Sequence, residues 1–305
     1  MGPKILTDVA TARPALPRLE MPLQQVGMEN IATQVQLAAS TNPTAAAQFV
    51  IARVNAAVSL ENTSARGIHM SRLFRIVNDL GKQPLSREYL SLVLKEMLAT
   101  HQDLSQQAFL EIKTECLLKR KALLSKTEGW RTYPITIKAQ NVGGQERYQV
   151  QVVVEYSSTC PCSASLSREA IQQKFATDFL NQPINADDIH NWLGLETSHV
   201  AVPHSQRSAA TVVFEFAPQG KETPIENLID TLELALGTPV QAAVKREDEQ
   251  EFARLNGSNL MFCEDAARKI KAALLARPEF LDFQIEVRHF ESLHAHDVVA
   301  RAAKN

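Results

Sequence analysis

Apolar and polar positions recur along most of this chain with periods that name the element each stretch forms. From Phe49 to Leu60 the residues Val50, Ala52, Val54, Ala56 and Val58 occupy every second position, which predicts a half-buried strand. Met70, Leu73, Phe74 and Val77 then fall at i, i+3, i+4 and i+7, the stripe of an amphipathic helix that Gly81 and Pro84 end. A second helix carries Leu90, Val93, Leu94, Met97 and Leu98 on one face. Alternation returns at Ala108, Leu110, Ile112, Thr114, Cys116 and Leu118, a long strand. Ile135 and Ile137, the turn Val142-Gly143-Gly144-Gln145, and then Tyr148, Val150, Val152 and Val154 read as a hairpin.

Past an intervening loop the same order comes back. Ala209 to Phe216 is a strand. Thr223-Pro224-Ile225-Glu226 is a capping box with proline at the first helical position, and Ile225, Leu228, Ile229 and Leu232 face inward behind it. Phe262 to Ala276 is another helix, and Phe283, Ile285 and Val287 make a final strand. Strand–helix–helix–strand thus occurs twice, with a seam expected near residue 125. Antiparallel strands with paired helices predict an α+β fold rather than a doubly wound sheet. Residues 1–25 hold Pro3, Pro14, Pro17 and Pro22 without periodicity and read as an N-terminal arm.

Composition narrows the class of function. The 305 residues are 45% hydrophobic and 22% charged, a globular balance. The net charge of −2 argues against a generally basic nucleic-acid binder and leaves room for a local anion site. Apolar runs such as Val150 to Val154 are strand-length, far below the ~18 residues of a membrane span. The start Met-Gly-Pro-Lys-Ile-Leu lacks the apolar core of a signal peptide, and Leu6 stands where a myristoylation signal needs a hydroxyl. A reduced cytoplasm is the expected compartment. Four cysteines are too few for a disulfide scaffold, and Cys160 and Cys162, one residue apart, suit chemistry better than a structural bridge.

Six segments at element ends carry reactive side chains. Ser157-Ser158-Thr159-Cys160-Pro161-Cys162-Ser163 offers either an ionisable thiol, able to ligate a metal or attack an electrophile, or a pair of half-buried small thiols. Pro203-His204-Ser205-Gln206-Arg207-Ser208 crowds an imidazole and a guanidinium ahead of a strand. Arg66-Gly67-Ile68-His69-Met70-Ser71-Arg72 surrounds a helix start, where free backbone N–H groups and two arginines suit a phosphorylated ligand or merely begin a solvated helix. Lys245-Arg246-Glu247-Asp248-Glu249 and Phe262-Cys263-Glu264-Asp265 are charge runs between helices, and Glu291-Ser292-Leu293-His294-Ala295-His296 closes the last strand with two imidazoles fit for metal binding or proton transfer. Together they point to a metal-assisted hydrolase or transferase acting on a phosphorylated compound.

In order, these segments resemble the type IB GTP cyclohydrolases. The matching residues are Val26-Gly27-Met28-Glu29-Asn30, Arg66 to Arg72, Cys160-Pro161-Cys162-Ser163, His204-Ser205-Gln206-Arg207-Ser208, Lys245-Arg246-x-Asp248-Glu249, Phe262-x-Glu264-Asp265 and Glu291-Ser292-x-His294-x-His296. The resemblance runs from about residue 20 to the C-terminus. It implies conversion of GTP and water to formate and 7,8-dihydroneopterin triphosphate, the first step of folate-type pterin synthesis. The implied fold is the tunnelling fold, two tandem ββααββ halves placed at 26–125 and 126–305, in a homotetramer with active sites at subunit interfaces.

By resemblance, Cys160, His204 and Glu249 hold a divalent metal, with Glu291 and His294 as possible additional ligands; Glu264 anchors the guanine. His294 and His296 join Cys160 and His204 in the chemistry, and Arg66, His69, Arg72 and Arg207 are candidates for the triphosphate. One thiolate, one imidazole and one carboxylate form a harder donor set than two thiolates, so Mn²⁺ and Fe²⁺ are expected to serve as well as Zn²⁺. The chain departs from the family pattern at Ala164, where Lys is common, and in the long span 165–203, expected as a peripheral insertion or a lid. Two other readings remain: a related deazaguanine nitrile reductase using a covalent cysteine and NADPH, and a non-catalytic purine- or pterin-binding module.

Overall fold

In the computed structural model, which describes residues 20–37, 47–216 and 225–305, alternating burial gathers the strands into one sheet. The strands are β1 (Leu23–Leu37), β2 (Gln48–Leu60), β3 (Pro84–Leu85), β4 (Gln107–Lys121), β5 (Glu128–Val142), β6 (Gln145–Thr159), β7 (Ser205–Phe216), β8 (Phe280–His289) and β9 (Val298–Ala303). They lie in the order β3-β1-β2-β4-β5-β6-β7-β8-β9, antiparallel except for β3 against β1. The helices are α1 (Met70–Asn78), α2 (Arg87–Ala99), α3 (Pro161–Asp178), α4 (Ala186–Leu193), α5 (Ile225–Leu236), α6 (Arg246–Ser258) and α7 (Cys263–Leu275). The order ββααββ runs once through β1, β2, α1, α2, β4 and β5, and again through β6, β7, α5, α7, β8 and β9.

Helices cover one face, and the inward side chains of the strands meet them in a single core. Val54, Ile112, Val152, Val212 and Phe214 from the sheet pack with Leu73, Leu94, Leu232 and Ile270 from the helices, all fully buried. A cluster ties α5 to β5: Tyr133 donates to Glu233 at 2.7 Å, and Arg131 pairs with the same carboxylate at 2.7 Å. Residue 125 lies in the connection between β4 and β5, whose pairing runs from Gln107↔Val142 to Lys121↔Glu128. The two ββααββ runs meet instead at the β5–β6 hairpin. There Gly143 and Gly144 take φ of +59° and +82°, the left-handed pair that a two-residue turn requires.

Five elements longer than a turn, β1, α3, α4, α6 and β9, are not among those the periodicity predicts, and one stripe is rotated. The helix α1 buries Leu73, Ile76 and Val77, leaving Met70 and Phe74 exposed; the overlapping stripe one step round the helix faces the sheet. The helix α3 buries only Ala164 and Ser167 of its own length, so it lies on the surface without an apolar stripe. With α4 it makes a small aromatic cluster of Phe175, Phe179 and Trp192, and the Trp192 indole donates to Asp178 at 2.8 Å. The edge strand β9 is short and alanine-rich, and the charge run at 245–249 opens α6 rather than joining helices. Thr223 and Pro224 of the expected capping box, and residues 1–19 of the expected arm, lie outside the described residues.

Candidate active site

The β6–β7 register brings two sequence-predicted residues together. Thr159 pairs with Ser205 at the end of the ladder, so Cys160 and His204, the next residue on each strand, become neighbours. The Cys160 amide donates to the His204 carbonyl at 3.3 Å. Cys160 is the N-cap of α3, and Pro161 takes the first helical position, where its missing N–H is no loss. The Cys160 side chain caps nothing and is half-buried, so the sulfur is held at the positive end of the helix dipole with no structural bond of its own. The free thiol expected in a loop therefore sits at a helix start.

His204 is held from three sides. Its backbone amide donates to the Ser163 hydroxyl at 3.1 Å. Its Nδ1 lies 3.1 Å from Gln206 Oε1 and 3.5 Å from Ser292 Oγ. Gln206 in turn reaches Ser158 at 3.0 Å. Arg207, next along β7, alternates to the open face of the sheet, where it is exposed and lies 3.8 Å from Glu155.

The N-terminus of α7 and the end of β8 close on the same place. The Met261 amide donates to the Thr159 carbonyl at 3.2 Å, and the Phe290 amide to the Arg207 carbonyl at 3.1 Å. Asp265 accepts from the Phe262 amide at 3.0 Å and so starts the helix, leaving Glu264 exposed in its first turn. Two buried oxygens at this end, Thr159 Oγ1 and Glu291 Oε2, have no hydrogen-bond partner. An unpartnered buried carboxylate oxygen is costly, and a cation or a donor on a ligand would relieve it. His294 and His296 lie in the β8–β9 connection, exposed, with their rings stacked at 5.1 Å.

Within K-R-x-D-E the two carboxylates part roles. Asp248 is fully buried; its Oδ1 accepts from the Leu124 and Ser125 amides at 2.8 and 2.9 Å, and its Oδ2 from Lys245 at 2.8 Å. It fastens the start of α6 to the β4–β5 connection, at the same end of the sheet as Cys160. Glu249, one residue on, is exposed there. Among the described residues no three His, Cys, Asp or Glu side chains converge as a metal site, so Glu249 is not drawn onto Cys160 and His204 within one chain.

Burial works to raise the Asp248 pKa, but hydrogen bonds from Ser125, Lys245 and Leu124 outweigh it and hold the carboxyl well below the usual range. A depressed carboxylate stabilises the fold above its unfolded pKa of about 3.9 and loses that contribution as pH falls towards the folded value. Asp248→Asn is therefore expected to melt several degrees below the parent at neutral pH. Thermal melts from neutral to acid pH should show that gap closing below about pH 4; a gap that stays constant would show that the charge of Asp248 contributes nothing.

Arg66, His69 and Arg72 stand elsewhere. The strand β2 ends at Leu60, beside the start of β4, and the chain then leads to His69 at the N-cap of α1. That is the opposite end of the sheet from Cys160, because β5, 15 residues long, runs between the two ends, about 50 Å at ~3.3 Å per residue. Arg72 donates to the Thr100 carbonyl, and the buried His101 ring approaches the His69 carbonyl at 3.3 Å. The segment Val26–Asn30 is at this end too. Gly27 lies so close to β2 that a Cβ would sit 2.0 Å from the Ala56 carbonyl oxygen, and Asn30, at φ +59°, sits in the bulge that follows.

The family model described as Type I GTP cyclohydrolase folE2 matches residues 6–300. The chain belongs to that family. Relatives named GTP cyclohydrolase FolE2 include one from Chromohalobacter salexigens, 47% identical over 287 residues, covering 94% of this chain and 92% of the relative. Another, from Pseudoalteromonas translucida, is 48% identical over 84% of each chain. Among solved structures the chain is similar to uricases from Arthrobacter globiformis, at TM-score 0.51 with 94% of this chain and 95% of the other covered, and Bacillus fastidious, at 0.51 with 92% of each, both at 8% identity. That likeness shows the fold alone, and the tandem ββααββ sheet is the tunnelling fold.

Seen within the GTP cyclohydrolase family, the seven motifs divide. Gly27, Asn30, Asp248 and Asp265 shape the backbone, whereas Cys160, His204, Glu264 and Glu291 lie at one end of the sheet, with Arg207 on its open face. No motif or period marks Tyr156 or His289, and none assigns a role to Ser158, Gln206 or Ser208. All five are buried on the inward face of strands that are otherwise apolar, and polar residues at such positions were the available signal.

Proposed function

We propose that this chain catalyses the reaction of GTP with water to give formate and 7,8-dihydroneopterin triphosphate, at a site centred on Cys160 and His204. The observation that carries the reading is the adjacency of a thiol at a helix start and a positioned imidazole, beside the exposed Glu264, in a member of the GTP cyclohydrolase family. The donor chemistry and the unpartnered Glu291 oxygen suit a divalent cation, Zn²⁺, Mn²⁺ or Fe²⁺, that Cys160 and His204 would hold. Glu249, exposed at the same end of the sheet and apart from them in this arrangement, would close on it as the third ligand, with Glu291 or His294 in reserve. Bound there, such a cation would supply Lewis acidity, which lowers the pKa of water from 15.7 towards ~7.

The chain's own residues do the rest. Glu264 accepts the N–H groups on the edge of guanine and sets C8 over the thiol–imidazole pair. His294 and His296 deliver a proton to the ring nitrogen that leaves C8, a role typically worth ~10²–10⁴-fold. Arg207 faces the triphosphate. Arg66, His69 and Arg72, at the far end of the sheet, can join the same site only from a second copy, which supports a homotetramer with sites at subunit interfaces. The four cysteines are free, in keeping with a cytoplasmic enzyme.

Formate release from GTP by metal-stripped protein, with and without added Mn²⁺, tests this. Metal-dependent formate is expected in equal amount to a dihydropterin, read as fluorescence after oxidation with iodine. Absence of formate from folded, metal-loaded protein would overturn it, and NADPH oxidation in the same preparation would point to the nitrile reductase.

A further inference from the structure

At the far end of the sheet, one buried titratable group has no part in the chemistry above. His101, 1% exposed, follows the C-cap of α2 and lies against the start of α1, where Arg66, His69 and Arg72 stand. Both of its ring nitrogens face carbonyl oxygens. Nδ1 lies 2.9 Å from the Met97 carbonyl in the last turn of α2, and Nε2 lies 3.3 Å from the His69 carbonyl. The same His69 oxygen begins α1 by accepting from the Arg72 amide at 3.0 Å. Nδ1 also lies 3.1 Å from the Thr100 hydroxyl, which has the Glu96 carbonyl at 2.9 Å for its own proton.

A carbonyl only accepts, and a neutral imidazole has a single N–H. Either neutral tautomer therefore turns a lone pair on one of the two carbonyl oxygens. The Thr100 hydroxyl can serve Nδ1 but leaves the Met97 oxygen facing it. Only the imidazolium donates to both. The surroundings oppose that charge: burial pushes the His101 pKa down, the two carbonyls pull it up, and Arg72 and His69 push it down again. Arg72 also donates to the Thr100 carbonyl and so occupies the negative end of α2. Glu61, just past β2, is spent on the Ser59 hydroxyl at 2.8 Å and the Gln106 amide at 3.0 Å, and Asp103 is exposed. The acceptors are set for a cation among neighbours that are themselves cationic, and a polyanion on those neighbours reverses the balance.

We propose that His101 is a positioning residue of the triphosphate site, and that it takes up a proton from solvent when a polyphosphate binds at Arg66, His69 and Arg72. The imidazolium then donates from Nδ1 to Met97 and from Nε2 to His69, tying the start of α1 to the end of α2 under the bound anion. The coupling is reciprocal: the anion favours the imidazolium, and the imidazolium tightens the anion. The proposal rests on the reading of those three residues as triphosphate ligands, but its measurement needs neither metal nor turnover. A failed formate assay leaves a measured proton uptake standing, and absent uptake leaves the assay standing.

The experiment is calorimetric titration of full-length, metal-free protein with inorganic triphosphate at about pH 7, in buffers of different ionisation enthalpy, which counts the protons exchanged. The parent is expected to take up about half a proton to one proton more per bound triphosphate than His101→Gln. Proton exchange on triphosphate and on His69 is common to both proteins and cancels. In turnover, His101→Gln should raise KM for GTP about 5–10-fold near pH 6.5 with little change in kcat, and the gap should close by about pH 9, where the parent imidazole is neutral as well. Lost packing alone would hold the gap open at every pH. Equal proton uptake by parent and folded variant overturns the proposal. In ¹⁵N-histidine-labelled parent, triphosphate should bring up two solvent-protected N–H protons on one ring; a spectrum without the second overturns the proposal even if the variant fails to fold. Triphosphate that does not bind at all overturns both the proposal and the placing of the triphosphate at these residues.

Discussion

Cys160→Ala protein is expected to release formate from GTP at about a thousandth of the parent rate or less. The expectation follows from what Cys160 does and does not touch. Its sulfur caps no backbone group, and the helix behind it is started by its carbonyl, which accepts from the Ala164 amide at 3.0 Å, a bond alanine keeps. The fold should therefore survive, with a circular-dichroism spectrum and melting temperature close to the parent's. What disappears is the one soft donor beside His204. Lewis-acid stabilisation is worth several kcal/mol, and about 4 kcal/mol is about a thousandfold in rate. Bound metal should fall in parallel, measured by elemental analysis after dialysis. Cys162→Ala, at an exposed position in the first turn of α3, serves as the control and should change the rate little. A Cys160→Ala protein with parent activity would remove the thiol from the reaction.

The second large effect is at Glu264. Replacing it with alanine should lower kcat/KM for GTP by about 10³-fold, because a carboxylate that pairs with base N–H groups leaves them unpaired and desolvated when it is lost. Glu264 is exposed and Asp265, not Glu264, starts α7, so stability should change by less than about 0.5 kcal/mol. A specific signature distinguishes base recognition from general damage. Inosine triphosphate lacks the exocyclic amine of guanine, so the parent should prefer GTP, and Glu264→Ala should lose most of that preference. Rates for both nucleotides with parent and variant settle the point. An unaltered GTP-to-ITP ratio in the variant would assign the base contact to another residue.

Much of the scaffold is legible because burial imposes a period. Val54, Ile112 and Val212 face the core because residues at every second position of a strand share a side, and Leu90, Val93, Leu94 and Met97 because residues three and four apart share a helix face. The period fails where little is buried. The surface helix α3 and the alanine-rich edge strand β9 have no stripe to read, and on α1 two overlapping stripes compete, so that Phe74 reads as inward and lies outward.

The site divides along a different line. Residue types and local spacing alone single out Cys160, His204, the two charge runs and the His294–His296 pair, since thiols, imidazoles and carboxylates at element ends are the groups that can bind and react; the choice of Glu249 and Glu264 within those runs comes from the family resemblance. Nothing local distinguishes Asp248 from Glu249; only the fold shows that the first is spent on the Leu124 and Ser125 amides and the second faces outward. Nor could spacing show that Arg66 and Cys160 lie at opposite ends of one sheet. The buried polar cluster behind His204 joins residues 50 and 131 positions apart in the chain, and it exists only because the β6–β7 and β7–β8 registers set Ser158, Ser208 and His289 side by side. Sequence determined which chemical groups the molecule owns and which stretches must be strands or helices, because both are local properties. Tertiary structure decided which of those groups meet, because strand register is set by the packing of the whole sheet.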